Sequence, residues 1–412
     1  MATHDGDGIM VDDYLPARRS LRVAVVSETY PPEVNGVAAT ISRVVDGLRA
    51  RGHELQLVRP RQAATDAGAN DRHYHEVLMR GLPIPRYPQL KMGLPARRAL
   101  TQLWTTRRPD VVHIVTEGPL GWSALLAAQH CRLPVVSDFR TNFHAYSRHY
   151  GVAWLRKPIM AYLRKFHNRT ASTMVPTEAL RRELQDCGFR RLRVVSRGVD
   201  TQLFHPGRRS DALRLSWGAA PQTPVVLCVG RLAPEKNLDT LLAAFDAMRR
   251  HDGTMRLVLV GDGPQRDSLR QRCPGAVFAG VRRGEDLAAH YASADLFVFP
   301  SVTETFGNVV PEAMASGLAL LGYDYAAARQ LVQHGDNGLL ARYEKEADFL
   351  AGAVRLATDP AAARAMGLKA RATASRLDWG RIVDAVEAEY LGAMEGAGAM
   401  HPARWRPVMP VA

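Results

Sequence analysis

The stretch DLFVFPSVTETFGNVVPEAMASG, residues 295–317, decides how the chain is read. Asp295 to Ser301 is an apolar run of strand length, which predicts a buried β-strand. A short polar loop carrying Gly307 follows. A helix is predicted to open near Asn308 and to stop at Ser316-Gly317, where glycine suits a helix end. Strand, tight loop and helix N-terminus together make an anion pocket, because unpaired N–H groups and the helix dipole point at one spot. Glu304 precedes that spot and Glu312 lies eight residues on, inside the helix. Carboxylates accept hydrogen bonds from hydroxyl groups. The pattern therefore suits a nucleotide sugar, with one carboxylate for the hexose and one for the ribose.

The same strand–loop–helix order recurs on both sides of this stretch. In the first half, LRVAVVSET (21–29) leads through YPPEVNG to a helix from Val37 to Arg51, and HELQLVRP (53–60) is the next strand. DVVHIV (110–115), LPVVSD (133–138) and TMVP (173–176) follow, separated by helical patterns. A second series runs through PVVLCVGRL (224–232), RLVLVGDG (256–263), AVFAG (276–280), DLFVFPS and LALLGYD (318–324). Strands alternating with helices through short connections imply α/β architecture with parallel, doubly wound sheets. At 412 residues, two such domains are expected. Their predicted bounds are 21–205 for the N-terminal domain and 206–378 for the C-terminal domain. A helix over 379–398 is predicted to return to the first domain, and residues 1–20 and 399–412 are read as tails.

Charge is unevenly placed. Residues 1–200 carry 30 Lys and Arg against 18 Asp and Glu, whereas the remainder carries 24 against 23. The first half thus holds nearly all of the net charge of +13. Such a surplus fits an anionic membrane surface or nucleic acid, but no helix-turn-helix, RNA-recognition or zinc-finger pattern supports the latter. The four cysteines are far apart, which reads as thiols in a reducing compartment. No apolar run approaches the roughly 18 residues of a spanning helix, and the opening residues are acidic rather than signal-like. A cytoplasmic protein is expected, with a peripheral position at the inner face of the plasma membrane as its membrane option.

CVGRLAPEKNLDTLL places Arg231 just after a strand and Lys236 just before a helix. Two cations at that edge would neutralise a diphosphate and stabilise it as it leaves; taken alone, they would also fit a solvated basic loop. Gly261, in GDGP, follows a strand, where it either admits a ligand or simply forms a turn. Val281, after Gly280, could offer backbone groups to a base edge. Gly36, in ETYPPEVNGVA, marks a close approach or a sharp turn. No GxGxxG follows either first strand, which argues against a dehydrogenase. The lone DxD, Asp5-Gly6-Asp7, lies in the tail, so neither a metal nor a separate cofactor is expected.

With these motifs assembled, the chain resembles the family 4 retaining glycosyltransferases of the GT-B fold, over roughly residues 21–395. The resemblance implies two Rossmann-like domains facing across a cleft. It implies that Glu304 contacts the donor hexose and Glu312 the ribose. Phe306, Gly307, Asn308 and Val309 would offer backbone amides, Arg231 and Lys236 would bind the diphosphate, and Gly36 would line it from the opposite domain. RGVDTQLFHP (197–206) looks like the family's interdomain signature. Within the family, TEGPLGWSALL and the block ending in RHYG look most like bacterial GDP-mannose-dependent lipid mannosyltransferases and the plant sulfoquinovosyltransferase. One departure stands out: many relatives have His where SDFRTNF has Arg140. Arginine cannot act as a base near neutral pH, so Arg140 would stabilise the leaving group, contact the sugar or pair with Asp138.

AWLRKPIMAYLRKFHNRT (153–170) spaces Trp154, Leu155, Ile159, Tyr162, Leu163 and Phe166 as on a helix, with basic residues between them. It reads either as a basic amphipathic helix docking on anionic lipid or as a core-facing helix with a solvated basic face. The expected activity is transfer of a hexose, first of all mannose from GDP-mannose, to a lipid or glycan acceptor. A UDP-sugar donor, a nucleotide-sugar epimerase or hydrolase, and a non-catalytic sugar-nucleotide binder are the alternatives.

Overall fold

Val23 to Val26 are fully buried, as a β-branched run must be when crossover helices cover both faces of a parallel sheet. The structure, a computed structural model, describes residues 20–33, 35–63, 65–84, 87–140 and 156–399. In the first domain the strands are β1 (Arg22–Val26), β2 (Glu54–Pro60), β3 (Tyr74–Met79), β4 (Gly81–Ile84), β5 (Tyr87–Gly93), β6 (Val111–Ile114), β7 (Val135–Asp138), β8 (Ser172–Val175) and β9 (Leu192–Val194). Seven of them form one sheet in the order β3-β2-β1-β6-β7-β8-β9, all parallel, while β4 and β5 pair as an antiparallel hairpin. The second domain holds β10 (Val225–Val229), β11 (Arg256–Val260), β12 (Val277–Gly280), β13 (Leu296–Phe299), β14 (Ala319–Tyr323) and β15 (Leu339–Ala341). Its sheet runs β12-β11-β10-β13-β14-β15, again all parallel. The two doubly wound α/β domains expected from the alternating pattern are present.

This strand order fixes where a site can form. In each sheet the chain winds outward one way from the first strand and then returns to its other side, so the order reverses between β1 and β6 and between β10 and β13. Open parallel sheets leave a crevice at the strand C-termini where the winding reverses. The loops there begin at Ser27, Val115, Gly230 and Pro300, and they carry most of the candidate residues.

The helix Trp379–Ala399 packs on the first sheet: Val383, Val386, Tyr390 and Ala393 share a buried cluster with Val23, Val25, Ile41 and Leu48. Arg51 anchors it, with an ion pair to Asp384 at 2.9 Å and a bond to the Gly380 carbonyl at 2.7 Å. The outgoing crossing lies against the returning one, where the Val199 amide donates to the Leu377 carbonyl at 3.0 Å.

Several elements escape the sequence pattern. β3 (YHEVLM) sits at the sheet edge, half-buried and rich in polar residues, and β15 has only three residues. Two C-terminal helices, Glu346–Thr358 and Pro360–Ala374, are too alanine-rich to show a sharp apolar stripe. The basic stretch also takes a definite form. In the helix Arg156–His167, Leu163 and Phe166 are buried in the domain core, with Ile159 and Met160 packed beside the first of them. Its apolar side is thus occupied by protein, and Lys157, Arg164 and Lys165 lie on the exposed side. Trp154, Leu155 and the RHYG block lie outside the described residues. Among the described residues no helix is long and apolar enough to cross a membrane.

Candidate active site

β10 ends at Val229, and a tight 3-10 turn over Pro234–Lys236 lifts Lys236 toward the loop after the neighbouring strand β13. The Lys236 ammonium forms an ion pair with Glu304, whose Oε1 also accepts from the Ser301 hydroxyl at 2.7 Å. Burial by itself would push the Glu304 carboxyl up. Lys236, Ser301 and Arg197 outweigh it and hold that carboxyl below its ordinary range. Arg231 forms an ion pair with the fully buried Glu235, whose carbonyl accepts from the Thr303 hydroxyl at 3.2 Å. Of the two cations five residues apart, Lys236 meets the Glu304 loop, and Arg231 braces the turn that presents it.

Gly307 has φ of +93°, a left-handed conformation that glycine adopts without the strain of a side chain. The bend swings the chain into the helix Val309–Ala315, and among the described residues the amides of Gly307, Asn308 and Val309 donate to no protein acceptor. The tight turn into a helix expected from the sequence is thus formed. The Phe306 side chain is buried in the core and its carbonyl accepts from the Ala327 amide at 2.9 Å. Glu312 lies one turn into the helix and accepts from the Tyr291 hydroxyl at 2.9 Å. Burial raises its carboxyl to about 7, against the lowering effect of that hydroxyl.

The first domain closes directly over this cradle. Asn308 Nδ2 donates to the Gly36 carbonyl at 3.3 Å and to the Thr40 hydroxyl at 3.1 Å. The Thr305 hydroxyl donates to the Arg140 carbonyl at 2.8 Å. A β-carbon added at Gly36 would stand 3.5 Å from Asn308, ordinary contact, so the protein's own packing does not demand a glycine there. The Arg140 guanidinium pairs with Asp138, one of the options open in the sequence. Asp138 also bonds His113 Nε2 at 2.9 Å, and His113 Nδ1 meets the Tyr390 hydroxyl at 2.8 Å. Burial opposes the charge on Asp138, but Arg140 and His113 bring its carboxyl down to about 2. The returning helix is thereby wired to the cleft.

Two candidates stand apart from this cluster. At Gly261 the place of a β-carbon is filled by the Gly230 carbonyl, 1.9 Å away, so close backbone packing between the β10 and β11 loops accounts for the glycine. Val281 is exposed beyond β12, two strands and roughly 10 Å from β10. Conversely, three side chains at the cleft are absent from the sequence-derived set. Tyr291 holds Glu312, Ser301 holds Glu304, and Arg197 donates through Nη1 to Asn308 Oδ1 at 3.1 Å. Only Arg197 left a trace, as a cation directly before the GVD turn at the domain boundary.

A second polar centre lies on the first domain at the β1–β6 reversal. Glu28 accepts from the Leu120 amide at 2.8 Å, at the start of the helix Pro119–His130. Burial raises it to about 7 despite the backbone bonds it receives. Glu117 beside it bonds His167 Nε2 at 3.1 Å. Among the described residues no group of three or more His, Cys, Asp or Glu side chains is arranged to hold a metal ion.

Comparison with known proteins agrees with this layout. Residues 34–203 match the family described as Glycosyltransferase Family 4, and residues 223–359 match Glycosyl transferases group 1. The chain is 36% identical over 325 residues to a GDP-mannose-dependent alpha-mannosyltransferase of Corynebacterium glutamicum, covering 78% of this chain and 77% of that protein. It is 29% identical over 370 residues to the sulfoquinovosyl transferase SQD2 of Arabidopsis thaliana, covering 87% and 71%. Among solved structures, sucrose-phosphate synthase from Thermosynechococcus elongatus superposes with a TM-score of 0.74 at 19% identity, covering 92% of this chain and all of that one, a likeness of fold. From the cradle, the reversal-point loops and these matches together, the chain belongs to the group 1, family 4 glycosyltransferases and has their GT-B fold.

Proposed function

We propose that this glycosyltransferase moves mannose from GDP-mannose to a lipid or glycan acceptor, with retention at the anomeric carbon and without a metal. The observation that carries the reading is the Lys236–Glu304 pair beside the amides of Gly307 to Val309, which bond no described acceptor, under the lid formed by Gly36 and Arg140. In this reading the amides and Lys236 receive the diphosphate, Glu304 receives hexose hydroxyls and Glu312 those of the ribose. Arg231 supports the Lys236 turn. The bond from the anomeric carbon to the phosphate oxygen breaks as the acceptor oxygen bonds to that carbon. The acceptor proton passes to the departing phosphate on the same face, and GDP leaves. Arg140 acts through its charge and not as a proton acceptor, because a guanidinium is no base at neutral pH. Closure of the two domains keeps water from the donor. The choice of GDP-mannose is supported by the bacterial relative named above.

The test supplies GDP-mannose, UDP-glucose or ADP-glucose, with and without glycolipid vesicles, in the presence of EDTA. Mannose is expected to enter the lipid phase from GDP-mannose alone, undiminished by the chelator. Loss of transfer in EDTA would disprove the metal-free site, and preference for UDP-glucose would replace the donor. Sugar released equally fast without vesicles would make the protein a hydrolase.

The basic first domain also supports contact with an anionic membrane. Because Leu163 and Phe166 are engaged in the core, that contact goes through charge, from exposed side chains such as Lys157 and Lys165. Binding to phosphatidylglycerol vesicles is expected at low salt and should vanish near about 1 M, where charges are screened within ~3 Å. Binding unmoved by salt in a sedimentation assay would rule out the electrostatic account.

A further inference from the structure

Arg197 is only 5% exposed and forms no ion pair among the described residues. The nearby carboxylates are already engaged, Asp138 with Arg140 and His113, and Glu304 with Lys236 and Ser301. Nη1 donates to Asn308, but Nη2 is buried and has no hydrogen-bond acceptor among the described residues. A buried donor without a partner costs free energy, and a buried cation without a counter-ion costs more. Burial first, and then the like charge of Arg140, lower the Arg197 guanidinium to about 9. The group is nonetheless held firmly. It lies 5.5 Å over the Phe306 ring, and the backbone two residues on is tied to Leu377. Asn308, its hydrogen-bond partner, begins the helix whose first amides also lack acceptors among the described residues. Asn308 thus joins the Arg197 guanidinium to the turn that carries those amides.

We propose that Arg197 is a phosphate-binding residue of the donor site, its Nη2 reserved for an oxygen of the leaving diphosphate. The inference rests on the donor-site reading above and adds a cation from the interdomain linker to those of the second domain. Since Asn308 also bonds Gly36 and Thr40, Arg197 ties phosphate recognition to contact between the domains. A preorganised charge of this kind stabilises the departing nucleotide without having to move.

The test compares the unaltered chain with Arg197→Met and Arg197→Lys by calorimetric titration. The probes are whichever of GDP, UDP and ADP the unaltered chain binds and the nucleoside that matches it. For Arg197→Met, nucleoside diphosphate affinity is expected to fall roughly 10- to 100-fold, the value of one charge-assisted bond. Nucleoside affinity should hold, and the ligand-free melting temperature should hold or rise, because a buried donor without an acceptor has been removed. Arg197→Lys keeps the charge but loses the fork, and it should give a smaller loss confined to the diphosphate. It also serves if the Met variant does not fold. Undiminished diphosphate affinity in the variants would overturn the proposal. So would a lowered melting temperature with parallel loss of nucleoside and diphosphate, the mark of a structural arginine. If the unaltered chain binds none of the three nucleotides, the donor-site reading falls and takes this inference with it.

Discussion

Lys236→Met is expected to lower kcat/KM by about 10²–10³, the usual effect of removing one preorganised donor from a developing anion. The same change should destabilise the protein at neutral pH, because it leaves Glu304 without its cation. A partner removed from a buried pair costs roughly 3–5 kcal/mol; both side chains here are 15% exposed, so about 2–3 kcal/mol is expected. The pH dependence identifies the cause. In the unaltered chain the Glu304 carboxyl is held below its ordinary value. The stability it contributes is therefore present above the unfolded value of 4.5 and is lost as pH falls through the lower folded value. In the variant, burial acts unopposed by Lys236, and the carboxyl should take up a proton well before it would in the unfolded chain. The melting-temperature gap between the two proteins should thus narrow from pH 7.5 toward pH 4.5. An unchanged gap would show that the pair does not carry the effect. A second change, Glu304→Gln on top of Lys236→Met, should restore much of the stability and none of the activity, a non-additivity expected of groups in contact.

Glu312→Gln should move stability and binding in opposite directions. The Glu312 carboxyl is raised from 4.5 to about 7, so the folded chain binds the proton more tightly than the unfolded chain. Stability at this residue accordingly declines as pH rises from about 4.5 to 7, and the full cost of ionising the buried group is present at pH 8. Allowing for its partial exposure, glutamine should stabilise the protein by about 2 kcal/mol at pH 8 and by little at pH 5. Donor affinity should nevertheless drop roughly 10- to 100-fold, because an amide offers one oxygen acceptor where the ionised carboxylate offers two. Donor affinity of the unaltered chain should also weaken as pH falls through about 7 and Glu312 takes up its proton. Thermal denaturation at the two pH values and calorimetry with the donor nucleotide check both halves. Equal affinity for the glutamine variant would remove Glu312 from the ribose.

The legible parts of this protein are the local ones. An apolar run such as LFVF, a glycine in the loop and a proline-tolerant helix start are all encoded within about ten residues, which is the range over which periodicity and turn chemistry act. That was enough to recover the strand–loop–helix units, and with them the amides of Gly307 to Val309 and the spacing of Glu304 and Glu312. β3 was illegible because an edge strand need not be apolar, and three-residue β15 is too short to establish a period. Arg197 meets Asn308 across 111 positions, and Tyr390 reaches His113 across 277, separations that no local pattern spans.

By itself, then, the sequence determined that two parallel α/β units exist, that each reverses its winding, and that donors and carboxylates gather where the second one does. Tertiary structure alone decided the pairing. Lys236 meets Glu304 because adjacency of β10 and β13 brings the end of the turn against the loop, and Arg231 pairs with Glu235 within that turn. Arg140 turns to Asp138, and among the described residues Arg197 Nη2 meets no acceptor. The reason is physical: charge partners are selected by distance and burial, and both come into being only when the strands lie side by side and the domains meet.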